Sequence, residues 1–286
     1  MMVPFSNFWP SFSKPIDGAT LRVLSLGAGV QSSALAIAAS RGDIGPRPDF
    51  AVFANAGRER KKVYDWLAWL TPQLAFPVFI AQREGLDLGE LTLAVARGER
   101  PLSGSPIPPL FLADPEGVVP KQCSKEFKTR VVSKFIRDRL GLAPGERAPK
   151  HFKIELWLGI SMDEIARAKR NEIPWFTNRF PLIEAGLSRR DCISYLTSIG
   201  FPEPPKSSCI WCPFRRKAQW KEMRDNEADD FSAACDYDDA WRIIPGLTGR
   251  AYISDERIPL RDLDLDGDLG GQVDLFADEC EGMCGV

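Results

Sequence analysis

The chain has 286 residues, 44% of them hydrophobic and 27% charged, with a net charge of −2. This is the composition of a globular protein with a core of its own, and no run of about 18 apolar residues marks a membrane span. The first 15 residues lack a basic patch followed by an apolar stretch, so they do not read as a secretion signal, and a cytoplasmic location is the expectation.

The charge is unevenly spread. From Asp225 onward, 17 Asp and Glu face four arginines, so the first 224 residues are net basic. A basic body suits an anionic ligand. We expect an N-terminal arm over 1–20, a body over 21–225 and an acidic C-terminal extension over 226–286.

Leu21 to Leu26 reads as a buried strand, broken by Gly27-Ala28-Gly29. Ser32 to Arg41 reads as a helix with Gly42 placed to end it. Phe50 to Ala54 is a second strand. Lys61 to Leu70 has helical spacing, with Val63, Trp66, Leu67 and Leu70 on one face. Pro77 to Ile80 is a third strand. Arg97 to Pro120, rich in Pro and Gly, reads as a long surface loop of the kind that closes over a site. Ser124 to Leu140 reads as a basic helix, Phe152 to Ile160 as a fourth strand, and Ser188 to Ile199 as another helix. Beyond Trp241 the chain reads as irregular and acidic. Alternating strands and helices predict an α/β fold with a mainly parallel sheet.

The segment Ser25-Leu26-Gly27-Ala28-Gly29-Val30-Gln31-Ser32-Ser33 joins a strand to a helix. Its glycines let backbone approach a ligand, and the helix start offers free N–H groups to an anion. It is neither a Walker A loop nor a dinucleotide fingerprint, and by itself it fits a plain tight turn equally well.

Gly27-Ala28-Gly29-Val30-Gln31-Ser32 resembles the PP-loop, usually S-G-G-x-D-S, of the superfamily that holds phosphoadenylyl-sulfate (PAPS) reductases and N-type ATP pyrophosphatases. Ala28 stands in place of a glycine and Gln31 in place of the acidic residue. Phe53-Ala54-Asn55-Ala56-Gly57-Arg58-Glu59 resembles that superfamily's F-x-D-T-G-x-E. Leu158 to Arg167 is similar to its G-I-R/S-x-D-E-x-x-R. The resemblance implies a Rossmann-like sheet flanked by helices. It also implies an adenine nucleotide held by Ser25, Leu26, Gly27, Ala28, Gly29, Gln31, Ser32 and Ser33. Phe53, Asn55 and Gly57 would join it after the second strand, and Gly159, Glu164 and Arg167 after the later one, with adenine near Leu26 and Phe53. Gln31 and Ser32 become candidate catalytic residues, and ATP with Mg²⁺ the expected cofactor. The glutamine keeps hydrogen-bonding capacity but brings no charge to a metal.

There are seven cysteines. Cys209 and Cys212 form a C-x-x-C followed by Arg215, Arg216 and Lys217, a pattern that can bind a metal from one turn or remain two reduced thiols. Cys123 lies 86 positions before Cys209. That is similar to the iron–sulfur adenylyl-sulfate (APS) reductases, with Gln122 where they carry a second cysteine. Sulfur-transferring PP-loop enzymes that modify tRNA hold a [4Fe–4S] cluster on three cysteines with one iron open, and that resemblance implies the same role for Cys123, Cys209 and Cys212, with zinc as the competing metal. Near the C-terminus, Glu279-Cys280 partly matches the reductases' E-C-G-x-H. Cys280 is a candidate nucleophile, a fourth ligand, a resolving partner of Cys284, or part of a tail without a role. Cys192 reads as core, and His151 as a solvated surface residue.

Lys121, Lys125, Lys128, Arg130, Lys134, Arg137 and Arg139 crowd one helix and its approach. They read as a solvated face or as a grip on the phosphates of a nucleotide, RNA or DNA, without any nucleic-acid-binding motif.

Two activities follow from the resemblance. One is cleavage of ATP to AMP and pyrophosphate, adenylating a substrate such as a nucleobase or nucleic acid for sulfur or nitrogen transfer. The other is thiol-dependent reduction of PAPS or APS. A third role is a non-catalytic nucleotide-binding accessory protein of a phage, plasmid or CRISPR-linked system.

Overall fold

A computed structural model describes residues 14–267. The chain runs through β1 (Leu21–Ser25), α1 (Val30–Arg41), β2 (Phe50–Asn55), α2 (Lys61–Leu70), β3 (Val78–Gln82) and α3 (Leu88–Ala96). It continues through β4 (Phe111–Ala113), β5 (Gly117–Val118), α4 (Arg130–Arg139), β6 (Ile154–Leu158) and β7 (Phe176–Arg179). The last elements are α5 (Pro181–Glu184), α6 (Arg189–Ser198), α7 (Lys217–Asn226), α8 (Ala228–Ala240) and β8 (Arg250–Tyr252).

Five strands form one sheet in the order β3-β2-β1-β6-β7, every neighbouring pair parallel. Strand residues alternate between two cores, as a pleated sheet covered on both faces requires. Leu24, Ala51, Phe53 and Trp157 pack with α1, α2 and α6, whereas Val23, Val52 and Leu156 pack with α4. The result is the Rossmann-like α/β arrangement expected. Its strand order reverses between β1 and β6, the place where such sheets open a crevice at their carboxyl edge.

The predicted helix over Lys61–Leu70 is reproduced residue for residue. Gly42 ends α1 at φ 84, its N–H bonded to Ala38 and Ala39 carbonyls. Three differences are instructive. The Pro-rich run 97–120 is only partly loop, since β4 pairs with β5 and β8 in a small antiparallel sheet. The basic helix opens as a wider π turn over Lys125–Thr129 before α4 begins. And α3, apolar nearly all round, shows no helical periodicity in the sequence, although Asp87 and Glu90 close a capping box at its start.

A third core organises the C-terminal segment. Trp211, Trp220 and Trp241 are each about 1% exposed and join Leu88, Leu91, Val95, Ile107, Leu110 and Ile253. The acidic segment from residue 228 therefore supplies α8 and β8 to a packed unit whose apolar side faces α3. Beyond Trp241, where an irregular chain was expected, β8 pairs with β4.

Candidate functional site

Leu26 donates its N–H to Val52 O, so β1's hydrogen bonding runs one residue into the loop. Ala28 follows in the left-handed region at φ 57, fully buried. A non-glycine there costs about 1–2 kcal/mol, which the surrounding packing must supply. Gly29 caps α1 in extended backbone, with no side-chain cap and no acidic residue in the first turn. The positive end of the α1 dipole is thus presented to the carboxyl edge without a negative group from its own first turn.

The loop after β6 presses on this helix start. A Cβ on Gly159 would lie 2.8 Å from the backbone N and Cα of Ser32, so only glycine allows the approach. Gln31 is fully buried, and its Nε2 donates to Glu164 Oε2 at 3.3 Å and Ser161 Oγ at 3.5 Å. Glu164 also pairs with Arg167. Gln31, Glu164 and Arg167 are therefore one hydrogen-bonded group beside the helix start.

The remaining expected residues divide by orientation. Ser32 Oγ, on a residue 7% exposed, donates to Gly29 O at 3.3 Å. Ser33 turns inward, its Oγ accepting from Trp66 Nε1 at 2.9 Å. The side chains of Leu26 and Phe53 are core, leaving only their backbone to line a ligand.

After β2, Asn55 Oδ1 accepts from Gly57 N at 3.0 Å and from Tyr64 Oη at 2.9 Å, locking the turn. Gly57 sits at φ 123, and a Cβ on it would lie 2.6 Å from Asp87 Cβ and Cγ. Glycine thus lets this loop dock on the capped start of α3, where Leu88 N bonds Ala56 O.

The same loop carries a residue not singled out as a site in the sequence. Glu59 is 3% exposed and pairs through backbone with Cys209. Its Oε1 lies 3.9 Å from Cys209 Sγ and 3.3 Å from Lys128 Nζ, while Oε2 is buried without a partner. A buried carboxylate oxygen left so is costly, by about 1–3 kcal/mol or more. Its position at the end of the F-x-D-T-G-x-E match was the available signal.

Cys123, Cys209 and Cys212 line one cavity of about 50 Å³, together with Lys121, Lys128 and Phe214. The three candidate thiols are thus gathered from two distant segments. Among the described residues, however, no three His, Cys, Asp or Glu side chains are arranged to hold a single metal ion. Beneath them, burial and the nearby Arg60 push Arg215 down to about 10, against the opposing pull of Cys212 and Glu222. Arg215 donates to Ser208 Oγ and Cys209 O, which fixes the C-x-x-C turn from below. Trp211 holds it from the side: a Cβ on Gly89 would lie 2.6 Å from the indole. Cys192 is core, as read, and Cys280 lies outside the described residues.

The basic helix spends much of its charge within the fold. Lys125 pairs with Glu172, Arg130 with Glu126, Lys134 with Glu84 and Asp138, and Lys128 with Glu59. Arg139 lies 4.4 Å from the centre of the Phe79 ring. No described helix is long and apolar enough to cross a membrane.

No protein-family model matches the chain, and no curated protein matches it. Among solved structures it is similar to the PAPS reductase of Candida auris, a phosphate complex. The identity is 12% and the TM-score 0.42, covering 64% of this chain and 74% of that one. The Rossmann-like assignment stands on this chain's own strand order and register.

Proposed function

We propose that this protein binds an adenine nucleotide at the carboxyl edge of the sheet and adenylates a substrate for sulfur transfer at the neighbouring cysteine cavity. One observation carries the reading. The uncapped start of α1 follows β1, and the loop holding Glu59 against Cys209 follows β2, so adjacent parallel strands deliver both features to one edge.

The chain's own residues divide the work. Backbone N–H groups of Gly29 to Ser32 receive the phosphates, aided by the helix dipole. Gln31, Glu164 and Arg167 form the wall from the β6 side. The loop offers Mg²⁺ no carboxylate of its own, and Glu164, beside Gln31, is already paired with Arg167. Lys121 and Lys128 place positive charge at the cavity that Cys123, Cys209 and Cys212 line.

Cys123, Cys209 and Cys212 line one cavity and are the residues that would hold a [4Fe–4S] cluster or, as the competing metal, zinc. Such a cluster supplies iron with one open position for sulfur when bound.

The test is threefold on one preparation made without oxygen. Calorimetry with ATP should show binding that Gly29→Val abolishes while the variant keeps its thermal transition. Pyrophosphate should appear from ATP in the presence of an acceptor. About four irons and four sulfides should be present and lost in Cys123→Ala. Tight ATP binding with neither pyrophosphate nor iron would overturn the adenylating reading in favour of an accessory role. Reduction of PAPS or APS would favour the reductase.

A further inference from the structure

The edge of the sheet opposite the phosphate loop carries a feature that this function does not use. An open trough of about 1000 Å³ lies where β6 and β7 begin, lined among others by Arg137, Arg147, Lys150, Lys153, Phe152 and Trp175. It continues into a second hollow of about 320 Å³, since both share Ile16, Pro174 and Thr177, and this extension adds Lys14 and Arg170. Six cations thus line the combined trough against two carboxylates, Asp17 and Glu146. Glu146 Oε2 accepts from Ala143 N at 2.8 Å, which leaves the cations in excess.

The charge here differs in kind from that of the basic helix. Arg147, Lys150 and Lys153 are exposed, and no ion pair within the described residues engages them. Between them stand two half-buried rings, Phe152 and Trp175, with centroids 6.4 Å apart. The Arg137 guanidinium lies 5.9 Å from the Trp175 ring centre, and its Nη2 holds the 143–146 turn through the carbonyls of Ala143 and Glu146. Aromatic faces are therefore set among fixed and free cations.

We propose that this trough binds single-stranded nucleic acid. Cations tracking a backbone, with rings on which bases stack, are what a single strand requires. A duplex keeps its bases stacked on each other and offers Trp175 and Phe152 nothing. An acidic peptide would satisfy the cations and bring nothing to stack on the rings. The volume reaches the upper end for a small-molecule pocket, and the open continuation suits a polymer. The inference does not depend on the nucleotide reading, because the trough is on the far edge of the sheet.

The experiment is fluorescence anisotropy of a labelled, unstructured oligonucleotide of about 12 residues with the full chain, across a salt series. Binding should weaken with salt. Arg147→Glu combined with Lys150→Glu should weaken it at least about tenfold and flatten the logarithmic salt slope by about 1.4, at roughly 0.7 per lost phosphate contact. Trp175→Leu should weaken it and Trp175→Phe largely retain it, which separates stacking from loss of fold. Lys134→Glu, on the paired helix, should leave it unchanged, as should ATP affinity in the Arg147/Lys150 variant. Absence of binding at low salt, indifference to the double charge reversal, or equal displacement by polyglutamate would each overturn the proposal.

Discussion

Glu59 and Cys209 are 150 positions apart in sequence, yet they share a backbone bridge, and the cysteine thiol lies 3.9 Å from the carboxylate. This pairing fastens the turn after β2 to the C-x-x-C segment. It is flanked by Arg60, whose buried guanidinium pairs with Glu222 of α7 and with Glu227. The cysteine cavity is therefore held where the C-terminal helices dock on the start of α2. Its geometry depends on that docking as much as on the cysteines themselves.

The docking can be probed by acid. Burial acts to raise the Glu222 carboxyl, but Arg60 and Lys62 outweigh it and hold it below its usual range. A carboxyl depressed in the folded state contributes stability above the unfolded value of about 4.3, and loses it as pH falls through the folded one. Thermal unfolding followed from about pH 6 to pH 3 should show the wild type losing stability faster than Glu222→Gln over the acid end. Parallel curves would show that the pair adds nothing.

Gly159→Ala drives a methyl group into the backbone of Ser32, within 2.8 Å of its N and Cα. Backbone on one side and a buried strand on the other leave little room to give, so a cost of about 1–3 kcal/mol is expected. Because the displaced atoms form the helix start, ATP affinity should fall at least about tenfold, measured by calorimetry below the variant's melting temperature.

Gln31→Asp tests the hydrogen-bonded group beside that helix. It replaces the amide that donates to Glu164 with a second carboxylate in a buried place. Two like charges there disfavour each other, so the variant should melt below wild type at neutral pH and recover in mild acid. Mg²⁺ should stabilise the variant and leave the wild type unmoved. A variant as stable as wild type without Mg²⁺ would contradict this geometry.

Gly89→Ala separates the cysteine cavity from the phosphate loop. Its new Cβ meets the Trp211 ring at 2.6 Å, and that ring is confined by Tyr237 and Trp241 at 4.4 and 5.3 Å. Overpacking should cost about 1–3 kcal/mol and shift the C-x-x-C turn. Iron content should fall more than ATP affinity does. An equal loss of both would show that the variant has unfolded as a whole.

The sequence by itself determined the parallel sheet, the glycine-bounded loop at the start of α1, and the helices whose apolar faces repeat at helical spacing. These are local signals: a strand's alternation, a glycine's freedom and an N-terminal cap are each written within a few residues. It did not reveal α3, whose apolar residues cover most of its circumference because it is buried against Trp211. Nor did it reveal the packed role of the acidic C-terminal segment. Composition counts the charges on the outer face and says little about the tryptophans inside. What only the tertiary structure decided is which distant residues meet. Glu59 faces a thiol, Arg60 reaches Glu222 and Glu227, and Ser33 turns to Trp66. Such contacts depend on how whole elements pack, and no spacing along the chain encodes them.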